Sequence, residues 1–97
     1  MRNENLIFIV AYNHERFIED VVRRIPEPVL TDPGNELLII DDASRDDTYG
    51  VSEALRRANL PRFRCTVLKN PINQGYGGNQ KLGYRYAVDH GFERVFL

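Results

Sequence analysis

The chain predicts an α/β fold of order β-α-β-α-β-α-β on a mostly parallel sheet, and three observations carry that reading. Leu37-Leu38-Ile39-Ile40 is an unbroken aliphatic run, the mark of a strand buried on both faces. Stretches of helical period stand between this run and the other apolar segments. Parallel strands need such crossovers, and crossovers are right-handed in nearly every case.

Taken in order, Leu6 to Ala11 is the first strand. Asn13, His14 and Glu15 break it and open a helix whose apolar face is Phe17, Ile18, Val21, Val22 and Ile25. Pro26 and Pro28 end that helix, and a polar loop follows with Asp32, Pro33 and Gly34 as turn residues. Glu36 to Ile40 is the second strand. Ser44 and Asp47 match a capping box for the next helix, whose stripe is Val51, Ala54, Leu55 and Ala58. Asn59 and Pro61 stop it. Phe63 to Leu68 is the third strand. Lys69 to Gly78 reads as a loop rich in Asn and Gly, and Leu82, Gly83, Tyr86 and Ala87 as the inner face of a third helix. Gly91 suits its C-terminal turn, and Arg94 to Leu97 begins a fourth strand.

The chain has 97 residues, the size of one small domain or of part of a larger one. With 42% hydrophobic and 28% charged residues, it has an ordinary globular balance. The net charge is −1 and the basic residues are scattered, so no global field draws nucleic acid or anionic lipid. One cysteine, Cys65, allows no intramolecular disulfide and fits a reducing compartment. Nothing resembles a signal peptide, and no stretch approaches the ~20 apolar residues of a membrane span. No internal repeat or low-complexity segment is present. The fourth strand has no loop after it, so the expectation is that residues 1–97 are the front part of a longer protein.

Asp41 and Asp42 stand where the second strand leaves the core. Ligands of open α/β sheets bind outside the carboxyl ends of the strands, and carboxylates there accept hydrogen bonds from a base or ribose, or face a metal held by phosphates. Two adjacent carboxylates repel, so a cation or donor is expected nearby. Asp46 and Asp47 read as helix-start residues that complement the dipole. Tyr12 ends the first strand; its ring either covers the sheet edge or stacks on a nucleobase. Asn13 can hydrogen-bond its own turn. Gly75, Gly77 and Gly78 permit close backbone approach to a ligand, and the helix after them offers free amides as a phosphate seat, with Lys81 in its first turns. The spacing matches neither a dinucleotide fingerprint nor a P-loop. No Ser-His-Asp set or zinc spacing is apparent; His90 reads as a dipole-compensating residue and Cys65 as a small core residue.

Three ordered segments, Ala11-Tyr12-Asn13, Ile40-Asp41-Asp42-Ala43-Ser44-Arg45-Asp46-Asp47-Thr48 and Asn73-Gln74-Gly75-Tyr76-Gly77-Gly78, together resemble the inverting nucleotide-sugar glycosyltransferases of family 2. Gly75 to Gly91 is most similar to the branch with the polyprenyl-phosphate mannosyl- and glucosyltransferases. The resemblance implies a Rossmann-like three-layer arrangement, the N-terminal nucleotide-binding half of a GT-A fold. It implies that Tyr12 stacks near the base, that Asp42 contacts the base, and that Asp41 shapes the same pocket. It implies that Ala11, Asn13 and His14 belong to the same nucleotide-sugar-binding set, and that Asn73, Gly75 and Gly78 flank the nucleotide with Lys81 near its phosphates. Two departures stand out: His14 occupies a place where the family often has Glu, and Ala43 one where Gly is usual.

The family also places an Asp-x-Asp motif just after the fourth strand, where it holds Mg²⁺ or Mn²⁺ against the sugar-nucleotide diphosphate, and a catalytic base farther along. The chain stops before both, so the expectations are no transferase activity, no tightly held metal and at best weak binding of a UDP- or GDP-sugar. A cytoplasmic location is implied as well; some members of the family continue into a membrane domain, and the sequence leaves that alternative open. An alternative of another class is a non-catalytic α/β binding or assembly module that forms homo-oligomers through its open sheet edges. A phospho-receiver domain is disfavoured, because the third strand ends in Leu68-Lys69-Asn70 with no aspartate to phosphorylate.

Overall fold

The computed structural model describes residues 2–97. Its elements are β1 (Asn5–Ala11), α1 (Ile18–Arg23), α2 (Glu27–Thr31), β2 (Asn35–Asp41), α3 (Thr48–Ala58), β3 (Cys65–Lys69), α4 (Gly75–Asp89) and β4 (Arg94–Phe96). The strands form one sheet in the order β3-β2-β1-β4, every pair of neighbours parallel. This is the expected α/β architecture of three layers.

Strand alternation divides the core into two. Leu37, Ile39 and Val67 face one side, where Ile18 and Val22 of α1, Leu30 of α2, and Val51 and Leu55 of α3 cover them. Leu6, Phe8, Leu38 and Ile40 face the other side, under Ala87 and Tyr86 of α4. Right-handed crossovers explain the division. The path β1-β2-β3 steps one way across the sheet and keeps its helices on one face. The step from β3 to β4 runs back past β1, which puts α4 on the opposite face. Leu37 to Ile40 are all buried, and each fully buried aliphatic side chain contributes roughly 1.5–3 kcal/mol.

Several boundaries differ from the sequence reading. The segment after α1, expected as polar loop, holds the short helix α2. Proline in a first helical turn gives up an N–H that has no intrahelical partner anyway, so Pro28 starts this helix rather than ending the previous one. The helix expected to open at Asn13 begins at Ile18, after a turn in which Phe17 and Ile18 donate to the His14 carbonyl; Phe17 lies exposed, off the apolar face. Ser44 does not cap α3. That helix starts at Thr48, whose N–H donates to Asp46 Oδ1 at 3.1 Å. Residues 75–78, expected in a loop, form the first turn of α4. The buried positions of α4 are Asn79, Gly83 and Ala87; the inner face read from the sequence held Gly83 and Ala87 but not the polar Asn79, and Leu82, expected there, is exposed.

Among the described residues no helix is long and apolar enough to cross a membrane. Cys65 is a free thiol in β3, and burial pushes its pKa to about 12, so it behaves as a packing residue.

Candidate functional site

The strand order reverses at β1, with β2 and β3 on one side and β4 on the other. Such a switch point leaves a crevice at the carboxyl ends, because the connections leaving the two neighbouring strands diverge to opposite faces. An open cleft of about 700 Å³ lies there. Tyr12, Asp42, Asn73, Gly75 and Tyr76 line it, with Phe8, Ile9 and Val10 of β1 along one wall. β4 pairs only with Asn5, Leu6 and Ile7, so this wall is a stretch of β1 beyond its last partner on that side.

Alternation sends the two adjacent aspartates to opposite faces, which relieves their mutual repulsion without a cation. Asp41 goes to the α3 face and is 1% exposed. Its Oδ1 accepts from the Ser44 N–H at 3.1 Å and from the Ser44 hydroxyl, and its buried Oδ2 has no hydrogen-bond partner. Asp42 goes to the α4 face and is 3% exposed. Its Oδ1 accepts from the Gln74 N–H at 2.7 Å and from Asn70 Nδ2 at 3.0 Å, while Oδ2 accepts from the Gly75 N–H at 3.1 Å. Burial pushes the Asp42 pKa up, but the Gln74 N–H, the Asn70 amide, the Gly75 N–H and Asn79 outweigh it and hold the carboxyl below its ordinary value.

Asp42 therefore caps α4. Of the amides that the sequence offered as a phosphate seat, those of Gln74 and Gly75 already bind a carboxylate. Gly75 sits at φ +72°, a left-handed conformation that glycine adopts without cost. Asn70 Nδ2 also donates to Asn79 Oδ1 at 2.8 Å, and Asn79 Nδ2 donates to the Gly75 carbonyl at 2.7 Å. A buried polar relay thus ties the end of β2 to the first turn of α4.

The match to known families decides the classification. Residues 6–90 match the model of glycosyl transferase family 2. The chain belongs to that family. It is 25% identical over 99 aligned positions to a UDP-N-acetylglucosamine–dolichyl-phosphate N-acetylglucosaminyltransferase of Methanococcus voltae, a match that covers 91% of this chain and 38% of that protein. Its fold is that of a mannosyltransferase from Pyrobaculum calidifontis solved with GDP-Man and Mn²⁺, with a TM-score of 0.68 at 24% identity, over 90% of this chain and 25% of that one. The chain thus spans well under half the length of these relatives.

For this family 2 chain, the cleft gathers Tyr12, Asp42, Asn73 and Gly75 of the expected residues. Tyr12 is 39% exposed. Ala11 is fully buried and acts through its carbonyl, which accepts from the Asp42 N–H at 2.9 Å. His14 packs back on its neighbour, its Nδ1 lying 2.7 Å from the Tyr12 carbonyl oxygen. Asn13, Asp41, Gly78 and Lys81 are not in the lining; Lys81 is exposed on the second turn of α4. Ala43 sits at φ +60°, which explains why the family usually has glycine there. Sequence reading did not single out Tyr76, Asn70 or Asn79. Tyr76 was legible as the aromatic inside the glycine run, whereas Asn70 and Asn79 needed the helix register. Among the described residues no group of three or more His, Cys, Asp or Glu side chains could hold a metal ion. Asp42 is the one carboxylate side chain in the cleft lining and already accepts three N–H groups, so the donor set here does not fit Mg²⁺ or Mn²⁺.

Proposed function

We propose that this chain supplies the nucleotide-sugar-binding half of an inverting glycosyltransferase whose acceptor is a polyprenyl phosphate or a saccharide. The observation that carries this reading is the meeting of Tyr12, Asp42, Asn73 and Gly75 around one cleft at the β1/β4 switch point. The Tyr12 ring offers a stacking surface. Asp42 accepts from Asn70 and from the Gln74 and Gly75 N–H groups and also lines the cleft, so its carboxylate stands beside an incoming base. A carboxylate acceptor selects a base with a ring N–H, as in uracil or guanine, which fits a UDP- or GDP-sugar. Asn73, whose Nδ2 donates to the Asp42 carbonyl at 3.2 Å, stiffens the same wall. Gly78 and Lys81 border the path that the diphosphate would take along α4. Any Mg²⁺ or Mn²⁺ and the base that activates the acceptor belong to the rest of the whole protein, so the chain alone binds nucleotide weakly and transfers no sugar.

Isothermal calorimetry with UDP- and GDP-sugars, with and without Mn²⁺, tests this. One nucleotide series is expected to bind, and Tyr12→Ala is expected to weaken it by about tenfold, since one base–aromatic stack is worth roughly 1–3 kcal/mol. Turnover by the chain alone would contradict the division of labour. An obligate oligomer with no nucleotide affinity would favour the assembly-module alternative.

A further inference from the structure

Three successive backbone N–H groups of the turn after β1 each find a side-chain acceptor on the stretch from Ser44 to Thr48, which leads into α3. Asn13 donates to Ser44 Oγ at 2.9 Å, His14 to Thr48 Oγ1 at 2.9 Å, and Glu15 to Asp46 Oδ2 at 3.2 Å. Two bonds return: the Arg45 N–H donates to Asn13 Oδ1 and the Asp47 N–H to Glu15 Oε1, both at 2.9 Å. The acceptors are themselves anchored. The Ser44 hydroxyl donates to Asp41 Oδ1 and the Thr48 hydroxyl to Asp46 Oδ1, so each hydroxyl proton points at a carboxylate and each lone pair at a backbone N–H. Thr48 is completely buried. This is a different use of the Ser-Arg-Asp-Asp-Thr run from the capping box that its spacing suggests.

Tyr12 lies between two fixed points. On one side Ala11 is locked into the sheet opposite Asp41. On the other, Asn13 is held in the left-handed region at φ +53°, an uncommon conformation that the ladder compensates. The Tyr12 backbone is thus pinned from both ends, and only its side-chain torsions remain free. None of Ser44, Asp46 and Thr48 lines the cleft.

We propose that Ser44, Asp46 and Thr48 are positioning residues for Tyr12. This inference rests on the nucleotide-binding reading above. They hold the turn so that the ring already faces the cleft before a nucleotide arrives, which removes an ordering cost from binding. Thr48→Val keeps the shape and deletes both the acceptor for His14 and the donor to Asp46.

Two measurements on the full chain test the proposal. The first is amide hydrogen exchange without ligand: Thr48→Val should speed exchange at Asn13, His14 and Glu15 by about tenfold or more relative to core amides, and Thr48→Ser, which keeps the hydroxyl, should restore it. The second is a double-mutant cycle on UDP and GDP affinity. Thr48→Val should weaken binding about fivefold in the wild type and not at all in a Tyr12→Ala background. Ser44→Ala serves the same purpose if Thr48→Val does not fold. Unchanged exchange in the turn, or an equal loss of affinity in both backgrounds, would overturn the positioning role. If the wild type binds neither nucleotide, the binding reading falls, and the Tyr12 positioning role falls with it; the exchange data then show only whether the ladder orders the turn.

Discussion

Asp42→Ala is expected to destabilise the chain by about 3 kcal/mol, because it removes a charged acceptor from the Gln74 N–H, the Gly75 N–H and the Asn70 amide at once, leaving Gly75 only Asn73 Oδ1 and Asn70 only Asn79 Oδ1. For a domain of this size that is a fall in Tm of about 12–20 °C, readable by circular dichroism. Asp42→Asn should recover only part of it, since an amide N–H would then face the Gly75 N–H. The pH dependence follows from the lowered carboxyl pKa. A folded-state pKa below the unfolded value means that the stabilisation is fully present above the ordinary carboxylate range and is lost as pH falls through the lower folded value. Wild-type Tm should therefore drop on acidification below about pH 4, and the Asp42→Ala curve should be flatter over that window. Equal acid slopes in the two proteins would remove Asp42 from the account of α4 capping.

Gly83→Ala carries the second large effect, and here two contributions oppose each other. Alanine is favoured over glycine within a helix by about 1 kcal/mol. A Cβ at position 83, however, would lie 2.3 Å from Phe8 Cε2 and 2.5 Å from Cδ2. Phe8 is itself buried in the core with Leu38 and Ile40, so its ring cannot swing away. Overpacking of this kind costs about 1–3 kcal/mol and more where the neighbour is fixed, so the clash wins and a net loss of about 2 kcal/mol is expected from chemical denaturation. Phe8→Leu in the Gly83→Ala background should return part of it. A neutral or stabilising Gly83→Ala would mean that α4 sits farther from β1 than the structure places it.

These two positions show what the sequence disclosed and what it did not. The aliphatic run 37–40 announced a strand buried on both faces, and alternation then required Asp41 and Asp42 to part to opposite faces. Gly83 was legible as an inner-face residue at helical spacing. The short helix α2 was not, because Pro28 signals a helix stop and a helix start with the same residue, and only the preceding chain direction separates them. The capping box at Ser44 and Asp47 failed for a related reason. Its residue types suit any hydrogen-bond acceptor, and in the folded chain the turn at 13–15 supplies more N–H donors than the helix start does. Asn79 escaped because a buried asparagine needs a partner from another element, and sequence spacing does not reveal Asn70 beside it. The cleft residues Tyr12, Asp42 and Gly75 were readable because strand ends in a parallel sheet share one rim whatever the loops do.

The most direct test of the account is a two-dimensional ¹⁵N–¹H spectrum of the chain titrated with UDP and with GDP. The amides of Tyr12, Asp42, Asn73, Gly75 and Tyr76 should shift together along one binding isotherm, while those of α3 and the exposed face of α4 stay still. Shifts confined to another surface, or none at millimolar nucleotide, would contradict the claim that the β1/β4 crevice receives a nucleotide.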